Sequence, residues 1–253
     1  KELQLKLLFQ ERKKQQHLML VIEMCLYIYC KQEHKKSNIE WINIFDGTSL
    51  NGWRAYNGDK MPPGWMIIDS VLTFTTDQIM EEDYDYKGSR DIIYGATEFD
   101  NFELYLEWKI PKGGNSGIFY HLKEGYDGPP EVAPEYQLLD DKNYEEVHNY
   151  KLKDWQKTGA DYAMHTPDIS EKKLNSIGEW NSSRIVFTPK RVDHWLNGRK
   201  ILSFVPWSDD WYKRRNSGKW SNAPDYAIYK TGFIGLQDHG SNLYFRNIKI
   251  KKL

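Results

Sequence analysis

Cysteine is almost missing from this chain of 253 residues: Cys25 and Cys30 are the two present, and none follows Trp41. From residue 41 onward a disulfide framework and a cysteine nucleophile are therefore both excluded. An excess of either charge is missing too. The 35 Lys and Arg are balanced by 36 Asp and Glu, net charge −1, so no basic face is in prospect for nucleic acid. The apolar run at residues 18–29 falls short of the ~20 residues a membrane-spanning helix needs, and Glu23 interrupts it. Internal repeats and low-complexity tracts are absent.

What the chain does have is aromatic and β-forming. Hydrophobic residues make up 40% and aromatic residues 15%, with 10 Trp and 17 Tyr, enough for a sizeable core. After Trp41, runs of four to eight strand-forming residues alternate with Gly, Pro, Asn and Asp clusters, the punctuation of an all-β domain. Residues 102–110 alternate so that Phe102, Leu104, Leu106 and Trp108 share one face and Glu103, Glu107 and Lys109 the other. Asn197-Gly198 supplies the positive φ angles of a tight hairpin. Only residues 141–176 lack this rhythm, and they read as a long excursion from one edge, the kind of loop that often carries function. The length suits one sandwich domain at 41–253 preceded by a segment at 1–40.

That first segment has a basic flank (Arg12, Lys13, Lys14), the short apolar run, then Cys30 and a polar tether. The run is the size of a signal-peptide core. The expectation is an exported protein of the bacterial periplasm or cell surface, with a lipid anchor at Cys30 as its only route to a membrane. The alternative is a short amphipathic helix.

Six further segments, in order, carry a resemblance. They are Phe45-Asp46-Gly47-Thr48-Ser49-Leu50-Asn51-Gly52-Trp53, Gly113-Gly114-Asn115-Ser116-Gly117-Ile118-Phe119-Tyr120-His121, and Pro134-Glu135-Tyr136-Gln137-Leu138-Leu139-Asp140. Then follow Gly178-Glu179-Trp180-Asn181, His194-Trp195-Leu196-Asn197-Gly198, and Gly235-Leu236-Gln237-Asp238-His239-Gly240 with Phe245-Arg246-Asn247-Ile248-Lys249. Each is weak alone. In this order, from about Ile44 to Lys251, they resemble the 3-keto-disaccharide hydrolase domain, formerly a domain of unknown function. The resemblance implies a two-sheet antiparallel β-sandwich, a concanavalin A-like jelly roll, acting on an oligosaccharide or glycoside. One departure is Ser70, where the early hairpin usually carries Gly.

Strand parity then asks which polar side chains leave the core. Tyr136 and Leu138 are core-like, so Glu135 and Gln137 project together from the other face; Ile234 and Leu236 set the same expectation for Gln237 and His239. The candidate catalytic pair is Glu135 and His239. Candidate substrate-binding residues are Asn115, His121, Gln137, Trp180, Asn181, Trp195 and Gln237, since amides hydrogen-bond hydroxyls and indoles offer apolar platforms. His121 is expected on the face of Gly117 and Phe119. The glycines at 113–114 read either as a tight turn or as a close approach to ligand. Arg246 and Asp238 are expected to pair structurally. No cofactor is required, although His121, His239 and Glu135 would make a sensible N/O set for a divalent metal.

The chemistry implied by the resemblance is cleavage of 3-keto glycosides: a base removes the acidified C2 hydrogen, the enolate expels the C1 substituent, and water adds afterwards. A conventional glycosidase on the same fold needs paired carboxylates. The carboxylate nearest Glu135 along the chain, Asp140, has opposite parity. A non-catalytic sugar-binding jelly roll is the third reading, because fold alone does not decide activity.

Overall fold

The computed structural model describes residues 2, 12–15, 17–24, 40–76 and 87–253. It divides into two units, residues 1–40 and 41–253. In the first unit, residues 12–15 and 17–24 are helical, with Leu18, Met19, Leu20 and Met24 exposed. No described helix is long and apolar enough to cross a membrane. The expected anchor at Cys30 and the tether lie outside the described residues.

The second unit is the expected jelly roll of two antiparallel sheets. The larger has eight strands. Its main path runs β11 (Arg199–Phe204), β10 (Arg191–Leu196), β9 (Asn181–Thr188), β6 (Phe102–Lys109), β13 (Leu243–Lys252), β4 (Val71–Phe74) and β3 (Trp65–Ile68); β1 (Ile42–Phe45) also pairs with β13. The smaller runs β2 (Trp53–Ala55), β5 (Ile92–Phe99), β12 (Gly232–Leu236), β7 (Asn115–Leu122) and β8 (Glu135–Leu139). Alternation decides which residues meet between them. On β6, Phe102, Leu104, Leu106 and Trp108 are buried while the residues between them are half-buried, as their period of two requires. They pack against Ile118, Tyr120, Tyr136 and Leu138 of the smaller sheet, in a core where each fully buried Leu or Phe is worth about 1.5–3 kcal/mol. The Tyr136 hydroxyl donates to the Trp195 carbonyl at 3.0 Å, tying one sheet to the other.

The Asn197-Gly198 turn forms with φ of 47° and 78°. The β3–β4 hairpin adopts the same left-handed geometry without glycine, Asp69 at 49° and Ser70 at 61°.

Strands β7 and β8 are buried at every position, so the outer face of the smaller sheet is covered as well. Part of the cover is a second apolar cluster that includes Tyr56, Ile93, Phe119 and Val132. The rest is the excursion after β8, which contains α1 (Tyr144–His148). It returns along the free edge of β8: Gly159 N–H donates to the Gln137 carbonyl, Gln137 N–H to Ala160, and Tyr162 N–H to Glu135. An edge strand that would otherwise expose a row of unpaired backbone groups is thereby closed, and the aromatic residues of the excursion are held over Gln137. A second helix, α2 (Asp209–Ser217), is capped by Ser208, whose hydroxyl accepts from Trp211 N–H, and leads into Gly218, Lys219 and Trp220.

Candidate active site

The site is organised around Gly117, the third residue of β7. Gln137 lies opposite it on β8, and on the other side Gln237 N–H donates to the Gly117 carbonyl at 2.9 Å. Asn115 precedes it by two residues and so shares its face. The Glu135 side chain lies across Gly117: a Cβ added there would stand 2.7 Å from Glu135 Cδ. Any residue but glycine would push the carboxylate aside. Asn115, Gln137, Gln237 and Glu135 are all buried. The Asn115 Oδ1 and Gln237 Oε1 atoms have no hydrogen-bond partner among the described residues, an uncommon state for buried amides and one that a hydroxylated ligand would relieve.

A cavity of about 120 Å³ opens beside this patch, walled by Asn115, Gln137 and His239 from the sheet side and by Tyr144, Tyr150, Gln156 and Tyr162 from the excursion. His239 is exposed and lies beyond the end of β12, so loop geometry rather than strand parity brings it there. The excursion is fastened at two points. Asp140 accepts from Gly113 N–H at 2.8 Å and from the Asn143 amide, and His148 bonds the Gly113 carbonyl at 2.8 Å. Gly113 has φ +70°, and a Cβ on it would stand 2.7 Å from Val147 Cγ1, so the glycines at 113–114 make a tight turn beneath α1.

Electrostatically, Glu135 is the unusual group. Burial pushes its carboxyl up to about 8; the Lys219 ammonium pulls it down, and Asp91 and Asp161 push it further up. Its carboxylate accepts no hydrogen bond from the described residues, so little offsets the cost of ionising it. Asp91, just before β5, accepts from Asp238 N–H at 2.9 Å and from the Ser89 hydroxyl, yet burial still raises it to about 6. Lys219 lies over the Tyr162 and Trp220 rings, its Nζ 4.4 and 4.8 Å from their centroids and 3.4 Å from the Tyr162 hydroxyl.

Other expected residues fall elsewhere. His121 does not share the face of Gly117 and Phe119. The pairing of β12 with β7 shifts register between Phe233 and Gly235, and His121 takes φ +51°, which turns its ring inward against Phe102 and Phe187. Its Nε2 meets the Asp100 carbonyl at 2.7 Å, and burial lowers its pKa to about 4. The set His121, His239 and Glu135 is therefore not assembled, and the described residues contain no group of three His, Cys, Asp or Glu side chains arranged for a metal. Trp180 and Trp195 stand on the outer face of the larger sheet, Trp180 under Arg246 at 4.1 Å and Trp195 under Arg184 at 3.9 Å. Asn181 is buried in a separate cavity of about 630 Å³ with Trp108, Asp140 and Asn175, its Oδ1 accepting from Asn175 N–H and Asn197 Nδ2. Arg246 pairs with Glu107 at 2.6 Å rather than with Asp238.

Parity on β7 and β8 thus brings Asn115, Glu135 and Gln137 together, and Gln237 and His239 join them. Sequence reasoning missed Lys219, Tyr162, Tyr150 and Asp91. The broken rhythm of residues 141–176 was the one signal that could have pointed to the two tyrosines.

Comparison with known proteins agrees with this fold. A 3-keto-disaccharide hydrolase of Bacteroides thetaiotaomicron is 36% identical over 234 residues, covering 84% of this chain and 78% of that protein. A crystal structure of a candidate glycosyl hydrolase from Parabacteroides distasonis is 43% identical, with a TM-score of 0.74, covering 84% of this chain and 94% of its own. A second candidate glycosyl hydrolase from the same organism is 25% identical with a TM-score of 0.59, covering 85% of this chain and 100% of its own. Residues 40–251 match the family described as the 3-keto-alpha-glucoside-1,2-lyase-like domain, and the chain belongs to that family.

Proposed function

We propose that this protein cleaves glycosides, and specifically the C1–O bond of 3-keto sugars by elimination. Family membership supports the substrate class. The observation that carries the mechanism is Glu135: a buried carboxyl raised to about 8, laid over Gly117 beside the unpartnered amides of Asn115 and Gln237. A carboxylate so poorly stabilised is a stronger base than an ordinary one, which suits removal of a C–H proton.

In the proposed step, the C2 proton passes to Glu135 and the C2–H electron pair forms C2=C3, leaving the charge on the C3 oxygen. As that oxygen re-forms its carbonyl, the pair moves to C1=C2 and the C1–O bond breaks. The departing alkoxide takes back the proton. Addition of water across C1=C2 then gives the free 3-keto sugar, so elimination followed by hydration has the stoichiometry of hydrolysis. Gln137, Gln237 and His239 can hydrogen-bond the C3 oxygen, while Asn115 and the tyrosines of the excursion can hold the ring hydroxyls.

The test is cleavage of a 3-keto-disaccharide in deuterated water. Deuterium should appear at C2 of the released 3-keto sugar, and Glu135→Gln should lower turnover by at least about 10²-fold, the scale of a lost general base. Cleavage of the unoxidised disaccharide with no C2 label would overturn the mechanism. That outcome would favour displacement at C1, a reading supported by the electrostatic coupling of Asp91 to Glu135, which gives the base a second carboxylate nearby. Export is part of the proposal as well; cell fractionation of the protein with and without residues 1–37 tests it.

A further inference from the structure

The groups assigned above to the C3 oxygen are neutral amides and an imidazole, yet the enolate carries a full negative charge. We propose that Lys219 is a further catalytic residue, the cation that stabilises the enolate oxygen, with Tyr162 holding its ammonium at the mouth of the cavity.

Three observations support the assignment. The first is position: Lys219 Nζ is 3.4 Å from the hydroxyl of Tyr162, a wall of the cavity, and lies over the Tyr162 and Trp220 rings. Trp220 is itself anchored, its indole N–H donating to the Tyr162 carbonyl at 3.2 Å. A lysine held between two fixed rings has lost much of the freedom that makes surface lysines poor catalysts. The second is the field: the ammonium interacts with both Glu135 and Tyr150, so its charge reaches across the space between strand and excursion. The third is the absence of an ion-pair partner. Arg54, Lys123, Lys172, Arg184 and Arg246 each hold a carboxylate at ion-pair distance, whereas Lys219 makes no such pair among the described residues. Desolvation holds its pKa below the ordinary lysine value, against the opposing pull of Glu135 and Tyr150. A cation without an ion-pair partner, within electrostatic reach of a carboxyl that ionises with difficulty, is set to gain most when negative charge develops near it.

The inference rests on the 3-keto reading, and its test separates the two. Lys219→Met and Lys219→Arg would be assayed with p-nitrophenyl 3-keto-glucoside for C1–O cleavage and, in deuterated water, for exchange at C2. Loss of an oxyanion-stabilising group costs about 10²–10³ in kcat. Lys219→Met should therefore lose cleavage and C2 exchange together by that factor at a pH above the Glu135 pKa, with KM changed less than about threefold, because the negative charge it stabilises on the substrate develops only as the enolate forms. Lys219→Arg should recover activity to within about tenfold, since it restores the charge. Lys219 is exposed and its replacement removes only its contacts with Tyr162 and the Trp220 ring, so both variants should fold and melt close to the parent. A Lys219→Met enzyme that exchanges C2 at the parental rate, or that is impaired only in KM, overturns the role of Lys219 and leaves the elimination reading intact. A parent enzyme that cleaves p-nitrophenyl glucoside as well as its 3-keto form, without C2 exchange, overturns both.

Discussion

Gly117→Ala should inactivate the protein while leaving its fold intact. The new methyl would stand 2.7 Å from both Cγ and Cδ of Glu135, where ordinary contact begins at about 3.4 Å. The obstacle is a side chain, so the carboxylate yields rather than the sheet, moving by about 1 Å. A misplacement of that size costs about 10²-fold in rate. The effect on stability is small because opposing terms nearly cancel. Alanine restricts the unfolded chain and contributes about 0.4–1 kcal/mol, since Gly117 is not in the left-handed region. Forcing Glu135 off its rotamer costs about 0.5–1.5 kcal/mol. For a domain of this size, a net change below 1 kcal/mol moves Tm by less than about 4 °C. Kinetics on a 3-keto-glucoside and a melting curve followed by circular dichroism measure both quantities. A folded Gly117→Ala protein with parental kcat/KM would refute the link between this glycine and the position of Glu135. Combining Gly117→Ala with Glu135→Gln should cost little beyond Glu135→Gln alone, because both act through one carboxylate.

Glu135→Gln should stabilise the fold, and more at pH 9 than at pH 5. With a folded pKa of about 8 against an ordinary 4.5, the unfolded chain ionises first, so the parent loses stability as pH rises between those values, by about 5 kcal/mol as a ceiling; equal gains at both pH values in urea titrations would contradict this. Ser70→Gly should add about 1–2 kcal/mol by relieving φ +61° at the β3–β4 turn, read as a rise in the urea midpoint, and a lower midpoint would contradict the strain. Tyr136→Phe should cost about 1 kcal/mol by leaving the part-buried Trp195 carbonyl without its 3.0 Å donor, and an unchanged midpoint would show that the tie between sheets is not needed.

The parts of the molecule that sequence anticipates are those governed by a short period or a rigid local rule. β6 alternates because one of its faces is buried and the other half-solvated, and Asn197-Gly198 turns because its residues tolerate positive φ. Asn115, Glu135 and Gln137 were legible together for the same reason: both strands keep strict pleat through Gly117. His121 fails four residues later on the same strand because a bulge intervenes, and pattern alone does not reveal where an extra residue enters a ladder. Trp180 and Trp195 lie apart from the Glu135 group for a different reason. Each has an arginine over its ring, so an indole can stand on an outer sheet face without a sugar to cover it. Lys219 comes from a turn more than 80 residues from Glu135, and Asp91 from the approach to β5. Neither segment has a period, and only the closed sandwich brings their charges to bear on Glu135.

That convergence of charges bears on how Glu135 works. A carboxyl at about 8 is mostly protonated at neutral pH, which by itself would suit a general acid as well as a base. The two roles predict opposite pH dependence. An acid loses activity as pH rises through 8, whereas a base gains it. Asp91, raised only to about 6 and already accepting two hydrogen bonds, is the carboxyl that would be ionised if the pair worked as nucleophile and acid. Elimination asks for something else: one strong base, and positive charge where the enolate forms. A base with a pKa of about 8 is only about a tenth ionised at pH 7, but its greater basicity compensates when the proton is held by carbon. kcat/KM for a 3-keto-glucoside should therefore climb to a plateau above about pH 8. In Lys219→Met the climb should move to higher pH, because the charge that lowers the Glu135 pKa has gone. A profile that instead falls through pH 8 would make Glu135 the acid and Asp91 its partner.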